Sequence, residues 1–478
     1  MYQTGEQLTF WAQLKPTDIA FADQDHEITF KELDIFTSKI AFTLRARGIE
    51  RGDFVGLALP PYLSWIFMLS LFRLGAVPVW TSHPKLFIQD VMPLWLVSTK
   101  SHLEVDQSHT IIFDDNYLSE INASQRLSVE MGFRSPDELA SLFPTSGSTG
   151  DPKYIAISAG ELRDIAIRPS TYDSFGEDPV LSLMGFGSTW ATWAALKCLV
   201  LGKPYLNCIT SDEYLPKFLA KHSVKTLIGS PVQIAKFLDV QEKTQSNFSS
   251  IRSVLVGGSE PSQLLAERIR KNLSARIYNT YGSTEAGHIA IFEIKEGNSG
   301  ALVRPPVQLE IVDENDLKLP PHSIGRIRYR NPGMATGYYK NAIASQEFFR
   351  DGFFYPGDQG YLDDEGKLFL SGRSAEVINL GGVKVNPEVI DQIAISQLGI
   401  VDCGTFSTLD KTGVEVAVIA IVINEDFDEE HFSKAIGSKS PYQVVAATKV
   451  VSIPRNEAGK ILRHVLRENY ELKKRLEK

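Results

Sequence analysis

The sequence predicts an α/β protein: a large N-terminal part of βα-layered sheets, a strand-rich subdomain inside it, and a small C-terminal α+β domain. Three observations carry this. Between 180 and 280, short apolar runs alternate with helical patterns. From 307 to 372 the chain turns to strands and tight turns. After GRSAE (372–376) helix and strand signals resume in a unit of about 100 residues, a usual domain size. The 478 residues therefore divide into 1–373 and 374–478, with the strand-rich stretch at about 307–372.

Each element has a local reason. Thr29 and Glu32 in TFKE form a capping box, after which Leu33, Phe36, Ile40 and Leu44 recur at helical spacing until Gly48. FVGLAL (54–59) is a buried strand. YLSWIFMLSLF (62–72) is too short to span a bilayer and ends at Arg73, so a buried helix is predicted. Further on, LSLM, KPYLN, KTLIG, SVLVG and ARIYN are strands. DEYLPKFLAKH and PSQLLAERIRKNL are helices, the second with Leu264, Leu265, Ile269 and Leu273 on one face. Such alternation builds a largely parallel sheet, and ligands gather at the loops beyond its carboxyl ends. LEIVD, GRIRYR and the hairpin YLDDEGKLFL make the strand-rich part. NPEVIDQIA opens a helix with Asn386 as cap and Pro387 in the first turn, and VEVAVIAIVI (414–423) is a strand.

Composition narrows the function classes. Apolar residues make up 43% and charged residues 22%, enough for a sizeable core. A net charge of −9 gives no basic field to attract nucleic acid. Cys198, Cys208 and Cys403 lie far apart without metal-type spacing, which suits a reducing cytosol. The opening MYQTGEQLTFW lacks the basic region and apolar run of a signal peptide, so a cytoplasmic location is expected.

Five loops carry chemistry. In TSGSTGDPKY (145–154), Thr145, Ser146, Gly147, Ser148, Thr149 and Gly150 offer backbone N–H groups and hydroxyls to an anion, and Lys153 adds a mobile point charge. A polar hairpin turn is the plainer reading of that loop alone. YNTYGSTEAGH (278–288) ends a strand: Tyr281 can stack on a base, Thr284 can bond a phosphate or carboxylate, and Glu285 can hold Mg²⁺. Its plainer reading is a capped helix start. YPGDQGY (355–361) sets Asp358 between glycines, where it can grip ribose hydroxyls or simply form a Gly-Asp turn. SGRSAEVINLGGVKVNP (371–387) places Arg373 at the domain junction, and PRNEAGKILR (454–463) places Lys460 in a turn.

In this order and spacing, the five loops resemble those of the adenylate-forming superfamily: acyl- and aryl-CoA ligases, peptide-synthetase adenylation domains and firefly-type luciferases. The resemblance runs from TFKEL to Lys460, nearly the whole chain. It implies that a carboxylic acid and ATP give an acyl-adenylate and pyrophosphate, and that the acyl group then passes to a thiol. By motif, the loop from Thr145 to Lys153 would hold the β- and γ-phosphates, and Glu285 would bind Mg²⁺. Thr284 would bond the α-phosphate or the acid. Tyr281, in the stretch Asn279, Tyr281, Gly282, Ser283, would flank adenine, with Gly257, Gly258, Ser259 and Glu260 on the other side. Asp358 would bind ribose, Arg373 ribose or phosphate, and Lys460 would bridge both anions during adenylation. The resemblance also implies a small domain that rotates about a hinge after Arg373 between the half-reactions. Here the sequence departs from the usual pattern, with Ala375 where relatives carry Asp or Lys, and with Tyr154 where they carry Gly. Gly381 and Gly382 would let a pantetheine arm pass close to the backbone.

Relatives that activate α-amino acids place an aspartate after a phenylalanine in the segment matching LMGFGSTWATW (183–193). Here Gly187 follows Phe186 and no acid is present, which argues against an α-amino acid, whose buried ammonium would lack a partner. Phe186, Trp190 and Trp193 either line a compact apolar pocket for an aryl or short-to-medium acyl acid, or form helix core. His288 is expected in the pocket wall. The implied cofactors are ATP and Mg²⁺, with coenzyme A or the phosphopantetheine of a separate carrier protein as acceptor. A non-catalytic binding protein on the same scaffold is the remaining alternative, disfavoured because Lys153, Glu285, Asp358, Arg373 and Lys460 are all present.

Overall fold

Two sheets in the N-terminal part share one core and between them place Thr145, Lys153 and the stretch YGSTE. The structure is a computed structural model. It describes residues 4–80, 95–100, 109–128, 131–145, 153–167, 179–186, 188–207, 214–246, 248–258, 261, 263–295, 300–373, 378–380, 383–385, 387–395, 397–439, 444–454, 461 and 463–476.

Among the described residues the larger sheet has nine strands. From one edge they run Leu302–Val303, Gly287–Glu293, Arg276–Ser283, Ser253–Gly257, Thr226–Gly229, Val180–Ser182, Tyr205–Asn207, Ile19–Ala22 and Glu27–Thr29. From Arg276–Ser283 to Ile19–Ala22 the neighbours are parallel, and the pairs at either margin are antiparallel. The five strands expected between 180 and 280 are therefore present, and helices Leu215–Lys221 and Gln263–Leu273 lie between them. On the second helix Leu265, Ile269 and Leu273 are buried, and the side chain of Leu264 lies outside the described residues.

The second sheet runs Thr110–Ile112, Trp95–Ser98, Phe54–Ala58, Val77–Trp80, Leu139–Thr145 and Lys153–Ser158, parallel except for the last pair. The capping box forms as predicted: the Glu32 amide donates to Thr29 Oγ1 (3.2 Å), and the Thr29 amide donates to the Glu32 carboxylate (2.9 Å). This fixes the start of helix Phe30–Ala46, which ends before Gly48 at φ +100°. Helix Pro61–Leu74 is buried continuously from Leu63 to Leu74, in a cluster that draws side chains from both sheets. A helix apolar on all sides must be buried so. No described helix is long and apolar enough to cross a membrane.

The strand-rich part pairs Gln308–Val312, Gly325–Arg330, Phe353–Phe354, Asp358–Leu362 and Leu368–Arg373 antiparallel. Beyond it come the hairpin Ile378–Leu380 and Val383–Val385, and the three-stranded sheet Ile400–Leu409, Glu415–Ile423 and Val444–Lys449, with their own apolar clusters. Helix Pro387–Ile395 begins where expected, while its expected cap Asn386 and the junction residues 374–377 lie outside the described residues. Val414, at the turn between Ile400–Leu409 and Glu415–Ile423, is buried in the apolar cluster of the nine-stranded sheet.

One charged group is sunk in the shared core. Arg73, 1% exposed, pairs with Asp34 at 2.7 Å and donates to Thr37 Oγ1 at 3.1 Å, while the half-exposed Arg126 reaches the other Asp34 oxygen. Removing Asp34 takes one carboxylate away from a buried cation. We expect Asp34→Ala to cost about 3–5 kcal/mol in urea unfolding, and Arg126→Ala less than about 1 kcal/mol. Equal losses would contradict this account.

Candidate active site

Strands Arg276–Ser283 and Gly287–Glu293 form an antiparallel hairpin with Thr284–Ala286 at its tip. The stretch YGSTEAG is thus a turn, not a capped helix start. Gly282 is required by a close crossing, since a Cβ there would stand 2.2 Å from the carbonyl oxygen of Gly287. The strand-rich part braces the tip: Asn331 Nδ2 donates to the Ala286 carbonyl (2.9 Å), and the Ala335 amide donates to the Glu285 carbonyl (2.8 Å). Ser283 Oγ accepts from the Ala286 amide at 3.3 Å, closing the turn.

Glu285 is held from the side. The Tyr338 hydroxyl donates to its Oε1 at 2.9 Å, and burial beside that carboxylate pushes the Tyr338 phenol far up, so it stays a donor. Beneath lies Lys153, its Nζ 5.1 Å from the Tyr338 ring centre and 4.3 Å from that of Phe348. Lys153 is only 8% exposed, and desolvation pushes its ammonium down against the opposing pull of Glu347 and Glu285. The mobile point charge expected at 153 is therefore corrected: this lysine is seated under two aromatic rings, which favour a desolvated cation. Thr145 and Lys153 face each other across an antiparallel pair, so both ends of the glycine-rich loop are pinned. Ser146, Gly147, Ser148, Thr149 and Gly150 lie outside the described residues. Tyr154 is buried with Val77, Val79 and Leu142, so its ring fills the sheet's core side.

A second corner joins Tyr281 to Asp358. The Tyr281 hydroxyl donates to Asp358 Oδ2 at 2.6 Å, and its ring meets Tyr329 edge-on at 6.2 Å. Asp358, 6% exposed, opens strand Asp358–Leu362 and pairs in register with the Arg373 backbone, which places it on a strand and not in a loop. The Arg373 side chain, Ser259 and Glu260 lie outside the described residues. Gly258 follows strand Ser253–Gly257 at φ +84°, a conformation glycine adopts freely. Asn279 is buried, and its Oδ1 has no hydrogen-bond partner among the described residues. Native buried acceptors are rarely left so, and a bound donor would relieve it.

Below the hairpin tip lies a cavity of about 110 Å³. One face of helix Thr189–Leu201 lines it with Trp190, Trp193, Ala194 and Lys197, at positions i, i+3, i+4 and i+7. Opposite stand Thr280, Thr284, Glu285 and His288 of the hairpin, with Arg304. At the upper end Thr189 Oγ1 is 3.3 Å from Thr284 Oγ1. Gly257 admits the Trp190 ring, which a Cβ would meet at 2.2 Å. The His288 ring lies 5.3 Å from Trp190 and 6.1 Å from Trp193. Desolvation, with Arg304 and Lys197 nearby, pushes its imidazole from 6.5 to about 3, so it is a neutral wall group.

Of the pocket residues expected, Gly257 among them, Trp190 and His288 line this cavity, while Phe186 and Gly257 do not. Phe186 is 2% exposed and stacks between Trp65 (5.4 Å) and Trp80 (6.1 Å) in the core, which corrects its assignment to the pocket. Gly187 and Lys460 lie outside the described residues. Among the described residues no group of three or more His, Cys, Asp or Glu gathers. Glu285 therefore fits a metal of the kind held by one carboxylate plus phosphates and water, as Mg²⁺ usually is. Sequence reasoning missed Tyr338, Phe348, Lys197 and Arg304. Lys197 had a signal, since it continues the helical face of Trp190 and Trp193; Tyr338 and Arg304 had none, because only folding brings them in.

His288 gives a pH test. Its folded value lies below its unfolded one, so between about pH 6.5 and 3 the unfolded chain binds the extra proton and stability falls as pH falls. Above that window the contribution is fully present. We expect wild type to lose more urea stability than His288→Phe between pH 7.5 and pH 5. A gap between the two that stays constant over this range would contradict the neutral, enclosed imidazole.

Residues 8–339 match the sequence profile of a family described as AMP-binding enzyme. The chain is 24% identical to a 2-succinylbenzoate–CoA ligase of Bacillus subtilis (strain 168), over 96% of each chain. It is 26% identical to a 4-chlorobenzoate–CoA ligase of an Arthrobacter species, over 98% of this chain and 95% of that one. Among solved structures it is similar to o-succinylbenzoate CoA synthetase from Bacillus subtilis. A double mutant of that enzyme with the product analogue OSB-NCoA overlays with a TM-score of 0.80 at 21% identity, covering 97% of this chain and 98% of that one. The complex with the acyl-adenylate OSB-AMP gives 0.67 at 22% identity, covering 96% and 97%. With more than half of its length matched, the chain belongs to the AMP-binding enzyme family, within the adenylate-forming superfamily.

Proposed function

We propose that this protein is an AMP-forming acid–thiol ligase that activates a carboxylic acid with ATP and passes it to coenzyme A. The observation that carries this reading is the junction at Thr284–Glu285. There an aromatic-walled cavity meets the corner that holds Lys153 and, paired with it, Thr145. An acid in the cavity reaches the same residues as a nucleotide phosphate.

In the first half-reaction a carboxylate oxygen attacks the α-phosphorus of ATP, and the bond from that phosphorus to the bridging oxygen breaks as pyrophosphate leaves. Both reactants are anions, so the task is alignment and charge neutralisation. Thr284 bonds the α-phosphate or the acid, and Lys153 with the pinned loop holds the β- and γ-phosphates. Tyr281 and Asp358 take the nucleoside, Asp358 through the ribose hydroxyls, with Arg373 beside it and Lys460 bridging the two anions. Glu285 holds Mg²⁺, which when bound offsets phosphate charge. In the second half-reaction the thiol sulfur attacks the acyl carbon, AMP leaves, and the thiol proton passes to solvent. His288 is neutral and half-buried and takes no part as a base, since an ionised acid needs none.

The names of the relatives favour CoA over a carrier protein as acceptor, and the fuller overlay on the product-analogue complex supports an arrangement suited to the thioester step. Charge and cysteine spacing favour the cytoplasm. The division at 373/374 is retained as part of this proposal, with the C-terminal part turning between the two half-reactions.

ATP–pyrophosphate exchange over aryl, acyl and amino acids, followed by transfer to CoA and to holo-carrier protein, tests this reading. Exchange with aryl or short acyl acids and transfer to CoA are expected; no exchange with any acid would sink it. Lys460→Ala is expected to lose adenylation from acid and ATP yet still use preformed acyl-adenylate, and equal loss of both steps would contradict the domain turn. Tyr338→Phe, which releases Glu285, is expected to raise the KM for magnesium–ATP about 10-fold, as outer-shell losses do. An unchanged KM would remove Glu285 from the metal's coordination.

A further inference from the structure

The turn between strands Ile400–Leu409 and Glu415–Ile423 is built as a rigid tip. Asp410 Oδ1 accepts from the Thr412 amide (2.8 Å), the Thr412 hydroxyl (2.7 Å) and the Val414 amide (3.0 Å). The Asp410 amide donates to the Val414 carbonyl at 2.9 Å, and the Gly413 amide to the Asp410 carbonyl at 3.2 Å. Gly413 stands at φ +84°, the left-handed residue that closes a three-residue hairpin loop. One carboxylate oxygen thus fixes the shape of the tip. Hairpin tips ordinarily face water. Here Leu409 and Lys411 are exposed, yet Val414 is only 4% exposed.

The part of the chain that carries Val414 does not bury it. The two C-terminal clusters, one around Ile390 and Ile419 and the other around Phe406 and Leu466, do not include it. It joins instead the cluster of the nine-stranded sheet, with Leu181, Leu227 and Val254 from strands and with residues of helices Leu215–Lys221 and Gln263–Leu273. Among the described residues it is the one side chain beyond 373 that enters an apolar cluster of the N-terminal part.

We propose that Val414 is a positioning residue, a latch that holds the C-terminal part in the orientation for thiol transfer and withdraws for adenylation. This inference rests on the proposed ligase reading, in which the C-terminal part turns between two half-reactions. The balance between two packed orientations is set by what each one buries. The tip moves with its strands, so a large turn about 373/374 carries Val414 off the cluster and returns it to water. The fuller overlay on the product-analogue complex, a TM-score of 0.80 against 0.67 for the acyl-adenylate complex, favours thiol transfer as the latched step. The stiff turn suits this role, because a preformed tip loses little freedom on docking. One valine also suits a contact made and broken in every turnover. Its burial biases the balance by about 10- to 100-fold, enough to favour one orientation and small enough to reverse.

The test separates the half-reactions on the full chain, in wild type, Val414→Ser and Val414→Ile. Pyrophosphate exchange with an acid that wild type accepts reads adenylation, and a chase of preformed acyl-adenylate with coenzyme A reads thiol transfer. Val414→Ser is expected to slow transfer about 10-fold, chiefly in kcat, while exchange is unchanged or faster. Val414→Ile keeps an apolar tip and is expected to transfer faster than Val414→Ser. Equal loss in both half-reactions, no change in either, or loss of exchange alone would overturn the latch while the ligase reading stands. Exchange by wild type with no acid at all would overturn the ligase reading itself. Exchange by Val414→Ser at the wild-type rate shows that the variant has folded.

Discussion

The hydrogen bond from Tyr338 to Glu285, laid over the seated Lys153, is the constraint on which the rest of the site depends. It joins three stretches far apart in the chain: the strand-rich part, the tip of a hairpin in the nine-stranded sheet, and the strand that follows the glycine-rich loop. Phosphate chemistry needs a carboxylate and an ammonium close together without their collapsing into a contact ion pair. Tyr338 serves this by giving Glu285 a neutral donor while its ring face holds the ammonium. Burial pushes the Lys153 ammonium down, and the charges of Glu347 and Glu285 oppose that shift.

The same hairpin divides the labour of the cavity. In the proposed reaction its tip supplies the reacting groups, and its body, with the helix facing it, shapes the cavity for the acid. Gly257 is small so that Trp190 can lie flat against the sheet, and Gly282 is small so that the hairpin can close. A side chain at either place would displace the groups beside it. Phe186 shows how close core and pocket run, because a few residues before the cavity helix it belongs wholly to the aromatic stack of Trp65 and Trp80.

Tyr154 and Asp358 mark where local reasoning stops. At 154 a tyrosine follows the loop lysine, and its place was undecidable from the loop. In the fold it is a buried residue of a strand, packed on Val77 and Val79. Asp358 was recognisable as a carboxylate in a glycine-flanked turn. Its partner was not, since Tyr281 lies 77 residues away in sequence.

By itself the sequence determined the α/β class, the presence of the five strands between 180 and 280, the capping box at Thr29, and the loops that carry the family's chemistry. Each of these is written within a few residues, as periodicity, a cap or a glycine-rich motif, and needs no distant partner to be read. Only the tertiary structure decided that Lys153 is fixed and not mobile, that Phe186 is core, and that Tyr338 governs Glu285. It alone brought Lys197 and Arg304 to the wall of one cavity. Those facts depend on which strands pair and which helix face turns inward, and such contacts link residues that the chain itself keeps far apart.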